Sequence, residues 1–188
     1  MKNIVFIILL MVIGAQGWSA PVTVTSRVSV SAGDVENYNG TIYLADMYVY
    51  MAKTGSLGCD NGFYFLNNQI PKNATITKAY LTLVCGGANA PSSTDNMRIY
   101  GEATDSAIVF TTNANYFSRT KTIANILWTP APWVIGVSYN SADFAPVVQE
   151  IINRPGWKIG NALAILVFDE ALTTSERRAV SFESDPNN

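Results

Sequence analysis

Apolar and polar residues alternate along the stretch that follows Pro71. One side of the predicted strand carries Ala79, Leu81, Leu83 and Cys85, and the other carries Tyr80, Thr82 and Val84. This period of two is that of a β-strand with one buried and one wetted face. Such strands are typical of antiparallel sheets, so the pattern predicts an all-β protein with an antiparallel, jelly-roll-like β-sandwich fold.

Further short strands are predicted between clusters of Gly, Asn, Pro and Ser. They cover 22–30, 41–51, 63–66, 97–103, 126–128, 162–168 and 178–183. Asp46 interrupts the apolar side of the second of these, so we expect it at a sheet edge or beside a bulge near Ala45. The sequence shows no internal repeat or linker, and we therefore predict one domain.

One segment has the 3.6-residue period of an amphipathic helix. Its apolar stripe is formed by Phe144, Val147, Val148, Ile151 and Ile152. Pro146 lies in the first turn, where a backbone N–H would have no acceptor within the helix, so proline loses no hydrogen bond there. Pro155 ends the helix. The pattern predicts a short helix packed across the sandwich.

The first 17 residues have the pattern of a secretory signal peptide. Lys2 precedes an apolar run at 4–13, and Ala15 and Gly17 supply small residues for a cleavage site. The run is shorter than the roughly 20 residues that span a bilayer, so we predict no transmembrane segment. Cleavage after Gly17 would leave 18–188 as a secreted, extracellular domain, with the cell surface or the periplasm as alternatives.

The charge of the chain argues against nucleic acid as a partner. The 188 residues contain 12 Lys and Arg and 14 Asp and Glu, and loss of Lys2 with the signal changes the net charge from −2 to −3. A phosphate-binding protein needs a clustered basic face. The only local cluster is Arg177 and Arg178, which a solvated or salt-bridged strand end explains.

Cys59 and Cys85 are the two cysteines of the chain. In an exported protein such a pair predicts a disulfide, here one that joins the Gly-rich loop 55–62 to the end of the strand after Pro71. It would close a loop of about 27 residues and contribute roughly 3 kcal/mol. A reactive thiol pair is the alternative, but the chain has neither a CxxC spacing nor a histidine.

Several motifs occur in an order that resembles a known family. They are IPKNATITKAYL at 70–81, together with segments at 63–65, 99–103, 128–133, 148–157 and 160–163. This order resembles that of DNRLRE-type jelly-roll domains and of alginate-binding modules, which are secreted bacterial proteins. The resemblance covers nearly all of the chain after the signal, and it implies a jelly-roll fold and a polysaccharide ligand. Asn73 stands where the family carries glycine, a substitution that a turn tolerates.

The C-terminal sequence departs from this family. Its members close with another apolar strand after an Asp-Pro turn, whereas the printed sequence ends at Asp185-Pro186-Asn187-Asn188. The resemblance therefore implies a sandwich without its final strand. Either that strand lies outside the printed sequence, or a neighbouring molecule covers the open edge.

The acidic residues favour a metal site over catalysis. Without histidine, acid–base chemistry would need paired carboxylates, and nothing in the sequence places two of them at a catalytic separation. We predict that the protein is not an enzyme. Asp34 and Glu36 lie in an acidic loop with Asn37 and are the candidate ligands for calcium. Solvated side chains or turn caps are the alternative.

Aromatic residues supply the candidate ligand site, because sugar rings stack on exposed aromatic side chains beside polar groups. The predicted ligand-binding residues are Tyr48, Tyr50, Tyr100, Tyr116 and Asn113. We assign Trp128, Trp133 and Trp157 to core or corner packing beside prolines.

Two functions are compatible with these features. The first is a non-catalytic extracellular module that binds polysaccharide at the cell surface or in the matrix. The alternative is a structural subunit of a surface or filament assembly, held by contacts with neighbouring subunits.

Overall fold

A computed structural model describes residues 4–11, 13–14, 17–18, 21–54, 57–87, 95–170 and 176–185. The strands of the N-terminal half are β1 (Val5–Met11), β2 (Ile13–Gly14), β3 (Gly17–Trp18), β4 (Val22–Arg27), β5 (Asp34–Tyr38), β6 (Thr41–Tyr43), β7 (Tyr48–Thr54), β8 (Leu57–Phe65) and β9 (Thr75–Val84). Those of the C-terminal half are β10 (Met97–Gly101), β11 (Ile126–Trp128), β12 (Ser138–Asn140), β13 (Leu163–Asp169) and β14 (Glu176–Val180). The α-helices are α1 (Asn113–Phe117) and α2 (Ala145–Ile152), and a 3-10 turn covers Ser31–Gly33.

The strands form an antiparallel β-sandwich, which confirms the predicted all-β class. A small sheet has the order β12-β9-β1-β4, and a large sheet has the order β11-β10-β13-β8-β5-β6. β7 pairs with both β8 and β14, and a bridge from Cys85 to Ala179 brings β14 to the end of β9. This corner, formed by β7, β14 and the end of β9, therefore links the two sheets.

The main core lies between the sheets. Leu81 and Leu83 of β9 are fully buried, as the alternation predicts, and share one apolar cluster with Ile99 of β10 and Ile165 of β13. A second apolar cluster, which includes Phe110, lies on the outer face of the large sheet. The large sheet is thus covered by apolar side chains on both faces.

Helix α2 packs across the sandwich. Pro146 lies in its first turn, as predicted, and Val147 and Ile151 are buried. A Cβ on Gly101 of β10 would lie 2.5 Å from Ile151 Cδ1, so glycine allows the helix to approach the large sheet. Gln149 anchors the helix to β9, because its Oε1 accepts a 2.9 Å hydrogen bond from the Ile76 amide.

Three local predictions differ from the structure. The segment 41–51 is two strands, β6 and β7, and the break includes Asp46, where the apolar pattern is interrupted. The end of the predicted Gly-rich loop belongs to β8, which begins at Leu57, while residues 55 and 56 lie outside the described residues. The predicted acidic loop with Asp34 and Glu36 is strand β5. Helix α1 and strand β12 were not predicted, because they are too short to show a period.

The predicted disulfide between Cys59 and Cys85 is not formed. Cys59 lies on β8, opposite Ala52 of β7, and Cys85 lies in the main core at its bridge to Ala179. The Cys85 thiol donates a 3.3 Å hydrogen bond to the carbonyl of Gly87. The prediction is wrong because strand pairing gives each buried sulfur its own set of neighbours.

β1 lies at the centre of the small sheet, and it consists of residues from the predicted signal peptide. It pairs antiparallel with β4 on one side and with β9 on the other. Cleavage after Gly17 stays a prediction, and it would remove this strand.

Arg177 is buried in the corner. Its side chain and that of Asp95 are both 0% exposed, and Arg177 Nη1 lies 2.8 Å from Asp95 Oδ2. The guanidinium also donates to the carbonyl of Ala131 at 3.3 Å. The salt-bridged interpretation of the Arg177 and Arg178 cluster is therefore correct for both residues, since Arg178 forms an ion pair with Glu176. The ion pair with Asp95 and the hydrogen bond to Ala131 tie β14 to two loops.

Candidate functional site

Polar and aromatic side chains form a row across the outer face of the large sheet. Asn37 of β5 lies directly opposite Asp60 of β8. Asp60 Oδ1 accepts a 3.1 Å hydrogen bond from the amide of Asp169, which places Asp60 beside Phe168 at the end of β13. Because Val167 faces the main core, Phe168 faces outward.

Tyr100 and Lys121 complete this row. The Tyr100 ring meets the Phe168 ring edge to face, with centroids 5.8 Å apart. Lys121 Nζ lies 3.2 Å from the Phe168 centroid and 4.9 Å from that of Tyr100. We call this set the outer-face platform, defined as Asn37, Asp60, Tyr100, Lys121 and Phe168.

The ammonium of Lys121 is the exposed cation of the platform. It forms no ion pair within the part of the chain that the structure describes. Desolvation lowers the pKa of Lys121, and the negative charges of Asp60 and Glu170 act in the opposite direction. Its contacts with two rings hold the cation over the sheet by cation–π attraction.

Asp60 supplies the negative charge beside this cation. Burial raises the pKa of Asp60, while the Asp169 amide, the Lys121 charge and a side-chain hydrogen bond with Asn37 lower it. The platform therefore combines half-buried rings, one exposed cation and one carboxylate. This combination can stack against an apolar ring face and exchange hydrogen bonds with hydroxyl or carboxylate groups.

The segment 102–122 covers the outer face and positions Lys121. Its organising residue is Arg119, which is buried, forms an ion pair with Glu102 and stacks 4.0 Å over the Phe110 ring. Arg119 Nη2 also donates to the carbonyl of Ile108 at 2.7 Å. A Cβ on Gly62 of β8 would lie 2.4 Å from the Phe110 ring, so glycine lets the segment sit directly on the sheet.

Helix α1 places two of the predicted ligand residues in structural roles. The Asn113 side chain accepts from the Ile42 amide at 2.7 Å and donates to the Gly40 carbonyl at 2.8 Å, which fixes the turn between β5 and β6. Tyr116 is 3% exposed, and its ring centroid lies 6.4 Å from that of Phe168. Tyr116 therefore supports the platform, and its burial makes it unsuitable for stacking with a sugar.

Tyr48 and Tyr50 lie on β7, in the corner, and are not among the platform residues. Tyr48 packs so closely on Gly86 that a Cβ there would lie 2.6 Å from Tyr48 Cδ1. The Arg178 guanidinium carbon lies 4.9 Å from the Tyr50 centroid. The predicted tyrosines thus fall into two groups, and Tyr100 is the half-exposed one on the platform.

Asp34 and Glu36 both accept hydrogen bonds from backbone amides in the corner or directly after it. Asp34 Oδ2 accepts from Phe182 at 2.8 Å, and Glu36 Oε2 accepts from Tyr50 at 2.6 Å. Burial raises the pKa of Asp34 to about 8 and that of Glu36 to about 7, with Glu183 and Asp46 respectively adding repulsion.

The described residues contain no group of three or more His, Cys, Asp or Glu side chains placed to hold a metal ion. Calcium binding by Asp34 and Glu36 stays a prediction. Their carboxylates serve as hydrogen-bond acceptors for the corner.

Trp128, Trp133 and Trp157 are buried, in agreement with the packing assignment. Trp157 Nε1 donates to the Ile70 carbonyl at 3.0 Å, and this bond anchors the chain after α2 to the proline turn before β9. Trp133 stacks on Tyr139 with centroids 5.3 Å apart.

Sequence reasoning missed four platform residues, namely Asn37 as a ligand group, Asp60, Lys121 and Phe168. Phe168 ends a run of apolar residues that indicates a strand buried on both faces. The pattern therefore does not show that the Phe168 ring is half-exposed. No sequence pattern around Lys121 indicates that it takes part in a binding site. An isolated bridge pairs it with Glu102, next to β10, across 19 positions of the chain.

The chain matches no protein-family model and no curated protein. The resemblance to DNRLRE-type and alginate-binding domains stays a prediction. No helix among the described residues is long and apolar enough to cross a membrane.

Proposed function

We propose that the protein is a non-catalytic extracellular module that binds polysaccharide through the outer-face platform. The observation that carries the proposal is the position of Lys121, an exposed cation held over two aromatic rings without an ion pair among the described residues. A cation in this position can bind a sugar carboxylate or hydroxyl while Tyr100 offers an apolar edge. Acidic polysaccharide is therefore the favoured ligand class.

The test is affinity electrophoresis of the protein in gels that contain alginate, pectin or a neutral glucan. We expect retardation in the acidic gels, and a Lys121→Ala variant should lose about tenfold in affinity, the equivalent of about 1.4 kcal/mol. Tyr100→Ala should weaken binding to a similar degree. Retardation should decrease with added salt, because an exposed charge contact is screened.

Tyr48→Ala serves as the matched control. Tyr48 is also half-exposed, but it lies on β7 and outside the platform. Unchanged retardation of Tyr48→Ala beside loss in Tyr100→Ala supports the proposed site. Equal retardation of all variants, or the absence of retardation on every polysaccharide, refutes it. Repeating the gels with a calcium chelator tests whether calcium bridges the acidic protein to the ligand.

The second candidate function, a structural subunit of an assembly, is favoured by one separate observation. The centre of the small sheet is filled by β1, a strand that signal processing would remove. A sheet that opens in this way offers pairing edges to a neighbouring molecule.

A further inference from the structure

The small sheet depends on β1 for its continuity. Residues 5–10 of β1 pair with β4, from Val5 opposite Arg27 to Leu10 opposite Val22. Residues 5–11 pair with β9, from Val5 opposite Thr82 to Met11 opposite Thr75. Within the described residues β4 pairs with β1 alone, so the sheet order leaves β4 without a neighbour once β1 is gone.

Removal of β1 would expose two facing backbone edges. We call the space between them the strand slot, bounded by Val22–Arg27 and by residues 75–82 of β9. Unpaired backbone groups at a partly buried position carry a free-energy cost comparable to lost hydrogen bonds. Ala79 and Leu81, both 0% exposed in strand β9, pair with β1 and would then lie at a sheet edge.

The slot selects for apolar residues at every second position. Register places Phe6 opposite the buried Leu81, and Ile8 opposite the buried Ala79. The intervening positions face polar residues instead, since Leu9 lies opposite the exposed Lys78. A strand that fills the slot therefore needs apolar side chains on one face only.

We propose that in the processed protein the strand slot binds an extended segment of another polypeptide, about seven residues long and apolar at alternate positions. The segment runs antiparallel to both β4 and β9, as β1 does, and completes the small sheet by strand addition. The proposal rests on predicted cleavage after Gly17 and is independent of the platform, which lies on the other sheet.

The test uses the processed protein, purified after export and identified by N-terminal sequencing, and a labelled peptide of residues 4–11. Val5→Thr, Ile7→Lys and Leu9→Thr make the peptide soluble and leave the positions opposite Leu81 and Ala79 unchanged. We expect saturable binding, with slower hydrogen exchange of the β9 amides. The same peptide with Ile8→Glu should bind at least about tenfold more weakly, because it would bury a charge.

The full chain produced without export is the matched control, since its slot already holds β1, and it should not bind the peptide. If the processed protein does not fold alone, adding the peptide during refolding should restore it, and failure to do so overturns the proposal. Export without cleavage, or β9 amides already protected in a processed monomer, also overturns it. Self-association of the processed protein supports the proposal if the peptide dissociates it, and contradicts it otherwise.

Discussion

Two cations of this protein occupy opposite environments, one in the corner and one on the outer-face platform. Arg177 is completely buried and lies 2.8 Å from the equally buried Asp95. Lys121 is exposed, rests on two rings and has no ion pair among the described residues. A buried, paired charge is expensive to disturb, whereas an exposed cation on aromatic rings can take a new partner. The corner therefore serves the fold, and the platform is the surface suited to a ligand.

The largest expected effect comes from breaking the corner pair with Asp95→Ala. This leaves the Arg177 charge buried without its carboxylate and should lower the free energy of unfolding by about 3 to 5 kcal/mol. Urea denaturation measures the change. Glu170→Ala, which breaks the half-exposed pair with Arg98, is the control and should have little effect on stability. Similar losses in both variants would contradict the contrast between buried and exposed cations.

A smaller effect is expected inside the platform region from Arg119→Ala. Arg119 is buried and donates hydrogen bonds to the carbonyls of Ile108 and Val109 in the segment 102–122, so its loss should cost about 2 to 3 kcal/mol. Because this segment carries Lys121, polysaccharide binding should also weaken. Arg154→Ala, at an exposed ion pair with Asp105, should change neither stability nor binding measurably. Full stability of Arg119→Ala in thermal unfolding would refute this organising role.

The corner should also respond to pH. The folded-state pKa of Asp34 is raised to about 8 from an ordinary value near 3.8, so the folded protein holds a proton that the unfolded chain releases. Asp34 stabilises the fold most below pH 4, and this contribution is lost as the pH rises toward 8, at up to about 1.4 kcal/mol per pH unit.

Asp34→Asn should flatten this loss in denaturation curves recorded between pH 5 and pH 8. Glu36→Gln should act in the narrower window between pH 4.5 and about 7. An unchanged pH profile in both variants would show that neither carboxyl takes up a proton on folding.

A small effect on stability is expected from Lys121→Ala. Loss of an exposed cation–π contact should cost about 0.5 to 1 kcal/mol, which thermal unfolding detects as a small shift. Binding of acidic polysaccharide should nevertheless decrease. A large loss of stability would show that Lys121, like Arg177, stabilises the fold, and would contradict the contrast between the two regions.

The fold was more accessible to sequence reasoning than the site. The apolar alternation of β9 and the apolar stripe of α2 each extend over a whole element. Each pattern can therefore be recognised even where a single residue departs from it. Arg177 shows where sequence reasoning fails, since Arg177 is completely buried beside Ala179 in strand β14, and no hydrophobic pattern marks an arginine as a buried residue.

The predicted ligand residues show the same limit. Tyr100 is on the platform, but Asn113 fixes the turn between β5 and β6, and Tyr116 supports the platform from a buried position. Tyr48 and Tyr50 belong to the corner. Exposure of a tyrosine depends on what packs over its strand, and residue type does not encode this.

The sequence by itself determined the all-β class, the helix after residue 144 and the burial of Trp128, Trp133 and Trp157, because periodicity and turn residues act over short distances. Only the tertiary structure decided that Asn37, Asp60 and Phe168 meet, that Cys59 and Cys85 do not, and that β1 lies between β4 and β9. These outcomes depend on the register between strands that are distant in the chain. That register is set by the packing of the whole core and by no local pattern.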